Sequence, residues 1–399
     1  MKRIVDVVNF NADASCLSSQ VWLDVLTGGE YSPFVRWLNL YVDLNKKVVL
    51  GFPGATVADI VMYNPEAIDL INRNPDVFEL ILRPFAHDIA LLRLGKGFAV
   101  NYELGYETIR REFNNISPFF LPPEFMLTNE QIVRLVDRNV KGVFINPDRF
   151  SLELKARIPV IPYMLRGLFG ITIKCIPFSG KHTNSYLQCL QMFDCSAWNE
   201  GISSSEDDVV FIWRDGESSI LLPDGHLRES FWLKNEHDDF FRQHIGSLEL
   251  DFVANESLES HYYRSYPVHS FTAWMKEFRM LGFINRVQKV EERLDRLTEE
   301  QIGYWLMSIN SDIMSAIEKR SPVISMKSSP RDETIFSYTI QRSERGFEGE
   351  EYLTALEATL EGGNLPIYTH VSLDAHLLKL RGRLEYLTRG KTNKLNGAS

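Results

Sequence analysis

The sequence lacks the short motifs that identify a cofactor or a metal by themselves. It contains no C-x-x-C pair and no G-x-G-x-x-G, P-loop, H-E-x-x-H or G-x-S-x-G motif. Four cysteines in 399 residues are too few for a disulfide framework. We therefore predict reduced thiols, a cytoplasmic protein and no cofactor.

Basic charge and long apolar runs are also scarce. The formal net charge is -10, so a global positive field for nucleic acid or anionic membrane is absent. No apolar run approaches the ~20 residues that a membrane span requires. Asp6 lies inside the first apolar run, which argues against a signal peptide. We expect neither a nucleic-acid partner nor a membrane partner.

The sequence does contain enough apolar residues for a large core, since 44% of them are hydrophobic. Short runs rich in Val, Ile and Phe alternate with longer helical patterns, as in parallel α/β folds. The predicted strands are residues 4–10, 47–52, 78–82, 119–121, 142–145, 170–176 and 209–213. They fit a (β/α) barrel or a doubly wound sheet, and we prefer a seven-stranded (β/α) barrel.

The pattern becomes mainly helical near residue 270. We predict a catalytic barrel domain at residues 1–270 and a mainly helical C-terminal domain at 271–399, with one short strand at 335–340. Thr128 and Thr298 each precede a glutamine by three residues, which predicts two capped helix starts. The sequence does not decide whether the C-terminal helices close a cleft or form a homodimer face.

Two carboxylates carry most of the chemical information. Glu124 follows an apolar run and two prolines, each of which fixes its own φ. Asp215, with Glu217 two residues later, ends another apolar run, although Asp-Gly also predicts a simple turn. Residues just past parallel strands converge on one mouth, and two acids there suit glycosidic bond cleavage.

Other polar residues follow the predicted strands. Asn11, Asp13 and His87 are candidate substrate-binding residues, and each could instead be a capping or core residue. Asp13 and His87 could also begin a metal site, but no third ligand has a recognisable spacing. The remaining histidine candidates are His182, His226 and His261, and the aromatics that could stack on sugars are Trp213, Trp232 and Tyr263, which are core residues first.

At these residues the sequence resembles glycoside hydrolase family 57, mainly across the first 270 residues. The similar segments are residues 31–34, 48–54, 84–92 around His87, 120–124 ending at Glu124, 215–217 and 269–274. The resemblance implies a seven-stranded (β/α) barrel and retaining cleavage of α-linked sugars without a metal. It assigns Glu124 as the nucleophile and Asp215 as the general acid and base. Glu217 is a further candidate substrate-binding residue, and a shift of the strand end by one or two residues would exchange its place with that of Asp215.

Two segments depart from the family pattern where the reacting sugar should bind. A His-Gln-Pro-like motif is replaced by residues 10–13, and residues 218–220 replace the usual continuation after the acid. We therefore keep two alternatives. One is a metal-dependent deacetylase or α-mannosidase-like enzyme on a related barrel, with Asp13 and His87 as ligands. The other is a barrel that binds sugars without cleaving them.

Overall fold

The computed structural model describes most of the chain in ten segments: residues 1–13, 19–147, 161–166, 170–221, 225–250, 253–259, 278–310, 352–354, 356–362 and 373–396. Several predictions lie outside these segments. They are the strand at 335–340, the domain join at residue 270, and the side chains of His261 and Tyr263.

The described part contains one ten-stranded sheet. Its strands are β1 (Lys2–Asn9), β2 (Val48–Gly51), β3 (Phe78–Leu82), β4 (Ile116–Phe120), β5 (Gly142–Ile145), β6 (Tyr163–Arg166), β7 (Thr172–Pro177), β8 (Val209–Asp215), β9 (Phe240–Arg242) and β10 (Val253–Glu259). Every predicted strand in the first 215 residues is present, with ends that shift by three residues at most. The strands β6, β9 and β10 were not predicted.

Helices separate most of the strands. They are α1 (Ser19–Leu26), α2 (Pro33–Asp43), α3 (Gly54–Tyr63), α4 (Pro65–Arg73), α5 (Gly95–Glu112), α6 (Asn129–Asp137), α7 (Gly180–Met192), α8 (Ser196–Ser203), α9 (Gly216–Leu221), α10 (Gly225–Lys234), α11 (Phe278–Glu291), α12 (Glu299–Ser308) and α13 (Leu373–Asn396). The capping boxes at Thr128 and Thr298 are both present. The predicted α/β class is confirmed.

The sheet is mainly parallel and strongly curved. Its order is β10-β6-β7-β5-β4-β3-β2-β1-β8, with β9 also paired to β1, and only β6 and β7 run antiparallel within the described strands. In a flat sheet, β8 and β4 would lie roughly 19 Å apart, because strands are spaced by about 4.8 Å. Yet the ring centroid of Trp213, in β8, is 5.2 Å from that of Phe125, just after β4. The sheet therefore curls until distant strand ends meet.

Strand β8, at one end of the strand order, comes close to the chain just past β7. The amide of Ser179, two residues past β7, donates to the carbonyl of Phe211 in β8 at 2.9 Å. The strand pairings themselves follow an open path in the part of the chain described. The described strands thus form a curved, mainly parallel sheet. Closure into a seven-stranded barrel stays a prediction.

Alternating side chains bury both faces of the sheet, as the two-residue strand period requires. On the concave face, Val5, Val49, Ile81, Phe144 and Phe211 join one apolar cluster. The convex face packs against helices α1 to α4, α7 and α10. Both faces are mainly apolar, with a buried group of charged residues on the helix side of β1 and β8.

The C-terminal helices pack on the same body of the protein. Helices α11, α12 and α13 share an apolar cluster with Ala55 and Ala58 of α3 and with Phe85. Helix α13 also makes polar contacts to the strand side, described below. None of the described helices is long and apolar enough to cross a membrane.

One prediction about cysteine is wrong. Cys189 and Cys195 form a disulfide between the end of α7 and the start of α8, and Cys175 is a buried free thiol. The low cysteine count did not reveal this pair because the two residues are only six apart and close a local turn. The cytoplasmic location stays a prediction, and this disulfide weighs against it.

Candidate active site

The predicted site residues collect at one edge of the sheet. Strands β1, β3, β4 and β8 are parallel neighbours in the order β8-β1-β2-β3-β4, so their carboxyl ends point the same way. Asn11 and Asp13 follow β1, His87 follows β3, and Glu124 follows β4. Asp215 is the last residue of β8, and Glu217 lies in the first turn of α9.

Glu124 is held in an unusual backbone conformation. After β4, the amide of Leu121 donates to the carbonyl of Leu82, and two prolines carry the chain into a single 3-10 turn. Glu124 then has φ 52° and ψ 13°, and Phe125 has φ 58°. Two consecutive non-glycine residues in the left-handed region cost about 1–3 kcal/mol each and tend to occur at functional sites. In that turn, Glu124 is half-buried.

Arg83 lies among the acids and was missed by the sequence reasoning. It directly follows β3, is 1% exposed, and donates from Nη1 to the Leu121 carbonyl at 2.7 Å. Burial lowers the pKa of Arg83 to about 9, and the charges of Glu124, then Asp215, then Glu217 act in the opposite direction. Carboxylates from two separate strand ends therefore act on one guanidinium. No sequence signal distinguishes this arginine from an ordinary loop residue before proline.

Asn11 connects three of the predicted residues. Its backbone amide donates to Glu217 Oε1, its Nδ2 lies 3.0 Å from His87 Nδ1, and its Oδ1 accepts the Asp13 amide at 3.1 Å. Burial and the nearby charge of Arg83 hold the pKa of His87 well below its usual value, against the opposite effect of Asp13. His87 is therefore a neutral imidazole, whose Nδ1 accepts from Asn11.

The two acids near β8 differ in their surroundings. Glu217 is buried, and its carboxylate holds the Asn11 backbone. Asp215 is exposed, and its Oδ1 accepts from Asn9 Nδ2 at 3.3 Å. Strand β8 ends at Asp215, and Gly216 begins helix α9. The two carboxylates therefore reach the mouth from different directions.

Asp13 belongs to a buried cluster of charges rather than to an open mouth. Its Oδ1 lies 2.6 Å from Lys379 Nζ, and its Oδ2 lies 2.8 Å from Arg383 Nη1. Arg383 also pairs with Asp59 of α3 at 2.6 Å. Two ion pairs thus connect helix α13 to the segment after β1. Lys379 and Arg383 were not identified from the sequence, although their spacing of four places them on one helix face.

The aromatic candidates divide into two groups. Trp213 is half-buried and packs edge-to-face on Phe125, next to Glu124. Trp232 is fully buried in the helix layer of the convex face, 5.4 Å from Trp198. Trp232 is thus a core residue, whereas Trp213 borders the carboxylates.

Among the residues that the structure describes, the candidate ligands Asp13, His87, His182 and His226 are not arranged to hold a metal. Both oxygens of Asp13 pair with cations, and His87 Nδ1 is engaged by Asn11. His182 lies in the first turn of α7, and His226 Nε2 is 3.4 Å from Arg36 Nη2. Within the segments described, no group of three His, Cys, Asp or Glu side chains is arranged to hold an ion.

Comparison with known proteins gives matches in structure only. No protein-family model matches the sequence, and no curated protein matches it. The chain is similar to a 4-α-glucanotransferase from Thermococcus litoralis, with a TM-score of 0.54 and 14% identity over 89% of this chain and 55% of that one. The chain therefore spans about half the length of that enzyme.

Two further solved structures are similar at comparable levels. An α-amylase from Thermotoga maritima has a TM-score of 0.54 and 9% identity, with 97% of each chain covered. An exo-type maltose-forming amylase from Pyrococcus sp. ST04 has a TM-score of 0.54 and 12% identity, over 90% of this chain and 74% of that one. At such identities the likeness shows the fold alone, and this chain shares the fold of these three enzymes.

Proposed function

We propose that the protein is a retaining glycoside hydrolase or transglycosidase that acts on an α-linked glycan or glycoconjugate. The observation that carries the proposal is the convergence of Glu124, Asp215 and Glu217 on Arg83 at the carboxyl edge of the sheet. The left-handed backbone at Glu124 supports a functional role for this carboxylate. The fold shared with a glucanotransferase and two amylases supports a glucan as the substrate class.

In the proposed reaction, a carboxylate oxygen of Glu124 attacks the anomeric carbon and forms a glycosyl ester. Asp215 gives its proton to the glycosidic oxygen as that bond to the anomeric carbon breaks. Asp215 then takes a proton from water or from a sugar hydroxyl, which attacks the anomeric carbon and releases Glu124. This sequence requires the two carboxyl groups to lie roughly 5–5.5 Å apart.

Asp215 is the better candidate for the acid and base than Glu217. Its exposure allows contact with a leaving group, whereas the buried Glu217 holds the backbone of Asn11. We propose that Asn11, His87 and Trp213 contact the sugar, and that Glu217 and Asp13 hold Asn11 in place. Because His87 is neutral, it can exchange hydrogen bonds with hydroxyl groups without adding charge.

The finer architecture belongs to the same proposal. We propose that β1, β2, β3, β4, β5, β7 and β8 form a (β/α) barrel within residues 1–270, beside a mainly helical domain at 271–399. The hydrogen bond from Ser179 to Phe211 supports closure between β7 and β8. Helix α13 would then cover the barrel beside the mouth, through Lys379 and Arg383.

The first experiment assays the full chain on maltooligosaccharides and a panel of other α-linked glycans. We expect turnover with retained anomeric configuration, measured by NMR of the first product. Glu124→Gln and Asp215→Asn should each reduce kcat by at least about a thousandfold, because each removes one half of the two-carboxylate mechanism. Glu130→Gln, on the exposed start of α6, is the matched control.

A covalent adduct would locate the nucleophile independently of rate. Incubation with a 5-fluoro glycosyl fluoride should label Glu124, detected by mass spectrometry of the peptide that contains it. Inverted product, or full activity in Glu124→Gln, would overturn the mechanism. Sugar binding without turnover on every glycan tested would instead favour the non-catalytic alternative.

A further inference from the structure

Arg83 has more hydrogen-bonding capacity than its surroundings use. Nη1 donates to the Leu121 carbonyl, but Nε and Nη2 are buried and have no hydrogen-bond partner among the described residues. A buried donor without a partner costs about 1–3 kcal/mol, and more when it is charged. This cost indicates that the charge of Arg83 has a role other than stabilising the fold.

The groups that face Arg83 come from every element that ends around it. They are Glu124 after β4, Asp215 at the end of β8, Glu217 in α9, and Asp88 and His87 from its own loop. Four of these five are acids, and the imidazole is neutral. Like charges disfavour one another's ionised forms, and the positive charge of Arg83 acts against that effect at the mouth.

We propose that Arg83 is a positioning residue that keeps Glu124 ionised and fixes the chain that presents it. The hydrogen bond to Leu121 fixes the carbonyl just before the Pro-Pro segment. The guanidinium interacts most strongly with Glu124, then with Asp215, then with Glu217. Because the attraction between two charges is mutual, the same order describes how strongly Arg83 favours the ionised form of each acid. Arg83 therefore favours the ionised form most at Glu124, the proposed nucleophile, and less at Asp215, the acid that must hold a proton.

An anionic ligand on the unused side of Arg83 is the competing explanation, and the charge balance argues against it. The charges of Glu124, Asp215 and Glu217 all act on this guanidinium. Each of them would repel a carboxylate or phosphate ligand placed beside it. A neutral glycan would not be repelled, which agrees with the proposed substrate class. The catalytic meaning of the inference rests on the proposed function, but the ionisation of Glu124 does not.

The test measures that ionisation directly. Full-length protein labelled with [δ-13C]glutamate is titrated by NMR, and the Glu124 signal is assigned by its absence in Glu124→Gln. Arg83→Gln keeps an N–H donor for Leu121 but removes the charge. We expect its Glu124 midpoint to rise by about one pH unit or more. Arg83→Lys keeps the charge and should restore a midpoint near that of the unsubstituted protein.

Arg138→Gln is the matched control, because Arg138 makes a surface ion pair with Glu103 and should leave the midpoint unchanged. An unchanged midpoint in Arg83→Gln would overturn the proposal. Equal shifts in Arg83→Gln and Arg83→Lys would also overturn it, since the effect would then be one of shape. If the midpoint moves as expected and no glycan is turned over, the proposed function fails while this inference stands.

Discussion

Two buried arginines of this protein lie in opposite kinds of environment. Arg214, on the helix side of β8, has donors bound to Asp6 at 2.9 and 3.1 Å, to Tyr186 at 3.2 Å and to Glu229 at 2.7 Å. Arg83, at the mouth, has one carbonyl partner. The acids around Arg214 raise its pKa well above the usual value despite burial, whereas burial lowers the pKa of Arg83 to about 9.

Under the proposed function, the difference separates charges that hold the fold from charges that act on a substrate. Around Arg214, a second arginine, Arg242, pairs with Asp6 and Glu236, and the indole of Trp232 lies against both guanidinium groups. Each charged group in that network has an oppositely charged partner. At the mouth, three carboxylates act on the single guanidinium of Arg83, an arrangement that suits groups that change protonation or bind substrate under the proposed function.

The largest expected effect is on the matched network. Arg214→Met leaves Asp6 and Glu229 buried without their main cation, so we expect a loss of about 3–5 kcal/mol in the free energy of unfolding. Urea denaturation followed by circular dichroism measures it. Arg138→Met, which breaks a surface pair, should cost at most about 1 kcal/mol. A loss no larger than that of the control would show that the network is not structural.

How far the sequence predicted these two regions depends on the range of the contacts. The Val, Ile and Phe runs predicted the strands because a buried parallel strand needs little more than such a run. The Pro-Pro segment predicted a stiff presentation of Glu124, and the turn at residues 123–125 has that character. The strand β10, residues 253–259, includes Asn and two Glu and was missed because it has no apolar run.

The charged partners could not be predicted in the same way. Asp13 pairs with Lys379 and Arg383, which are 366 and 370 residues away along the chain. Nothing local indicates such a pairing, because any lysine or arginine of the chain would have served equally well. Arg83 was missed for a related reason, since only the tertiary fold buries it and surrounds it with acids.

The second expected effect concerns a buried acid whose environment is intermediate between those of Arg214 and Arg83. Glu79, in β3, accepts from the amides of Ile245 and Gly246, yet burial raises its pKa to about 7. The folded state therefore binds the Glu79 proton more tightly than the unfolded state. The resulting stability is fully present below about pH 4.5 and is lost as the pH rises through 7.

The measurement is the free energy of unfolding between pH 5 and pH 8. It should fall by about 2–3 kcal/mol from Glu79 alone. Burial also raises the pKa of Asp88 to about 7. Asp88 therefore adds a similar decrease in the free energy of unfolding. Glu79→Gln should flatten the profile by the Glu79 share. An identical slope in this variant would show that Glu79 titrates in the folded state as it does in the unfolded chain.

The third prediction returns to Arg83 and concerns stability alone. Arg83→Met removes one hydrogen bond to Leu121 but also removes a charge that is costly to bury. The two terms oppose each other, so we expect the free energy of unfolding to change by no more than about 1 kcal/mol. The experiment compares the change in the free energy of unfolding of Arg83→Met with that of Arg214→Met. A loss as large as that of Arg214→Met would make Arg83 a structural residue of the matched kind.

The smallest expected effect separates stability from function at a single position. Glu124 has φ 52°, a conformation that glycine adopts without strain. Glu124→Gly should therefore leave the free energy of unfolding unchanged or raise it by up to about 1 kcal/mol. Under the proposed function, the same change abolishes turnover. Glu130→Gly, in the first turn of α6, should instead lower stability by roughly 1 kcal/mol. Equal losses in the two variants would mean that the turn at Glu124 is not strained, and the case for its functional role would then rest on the carboxylates alone.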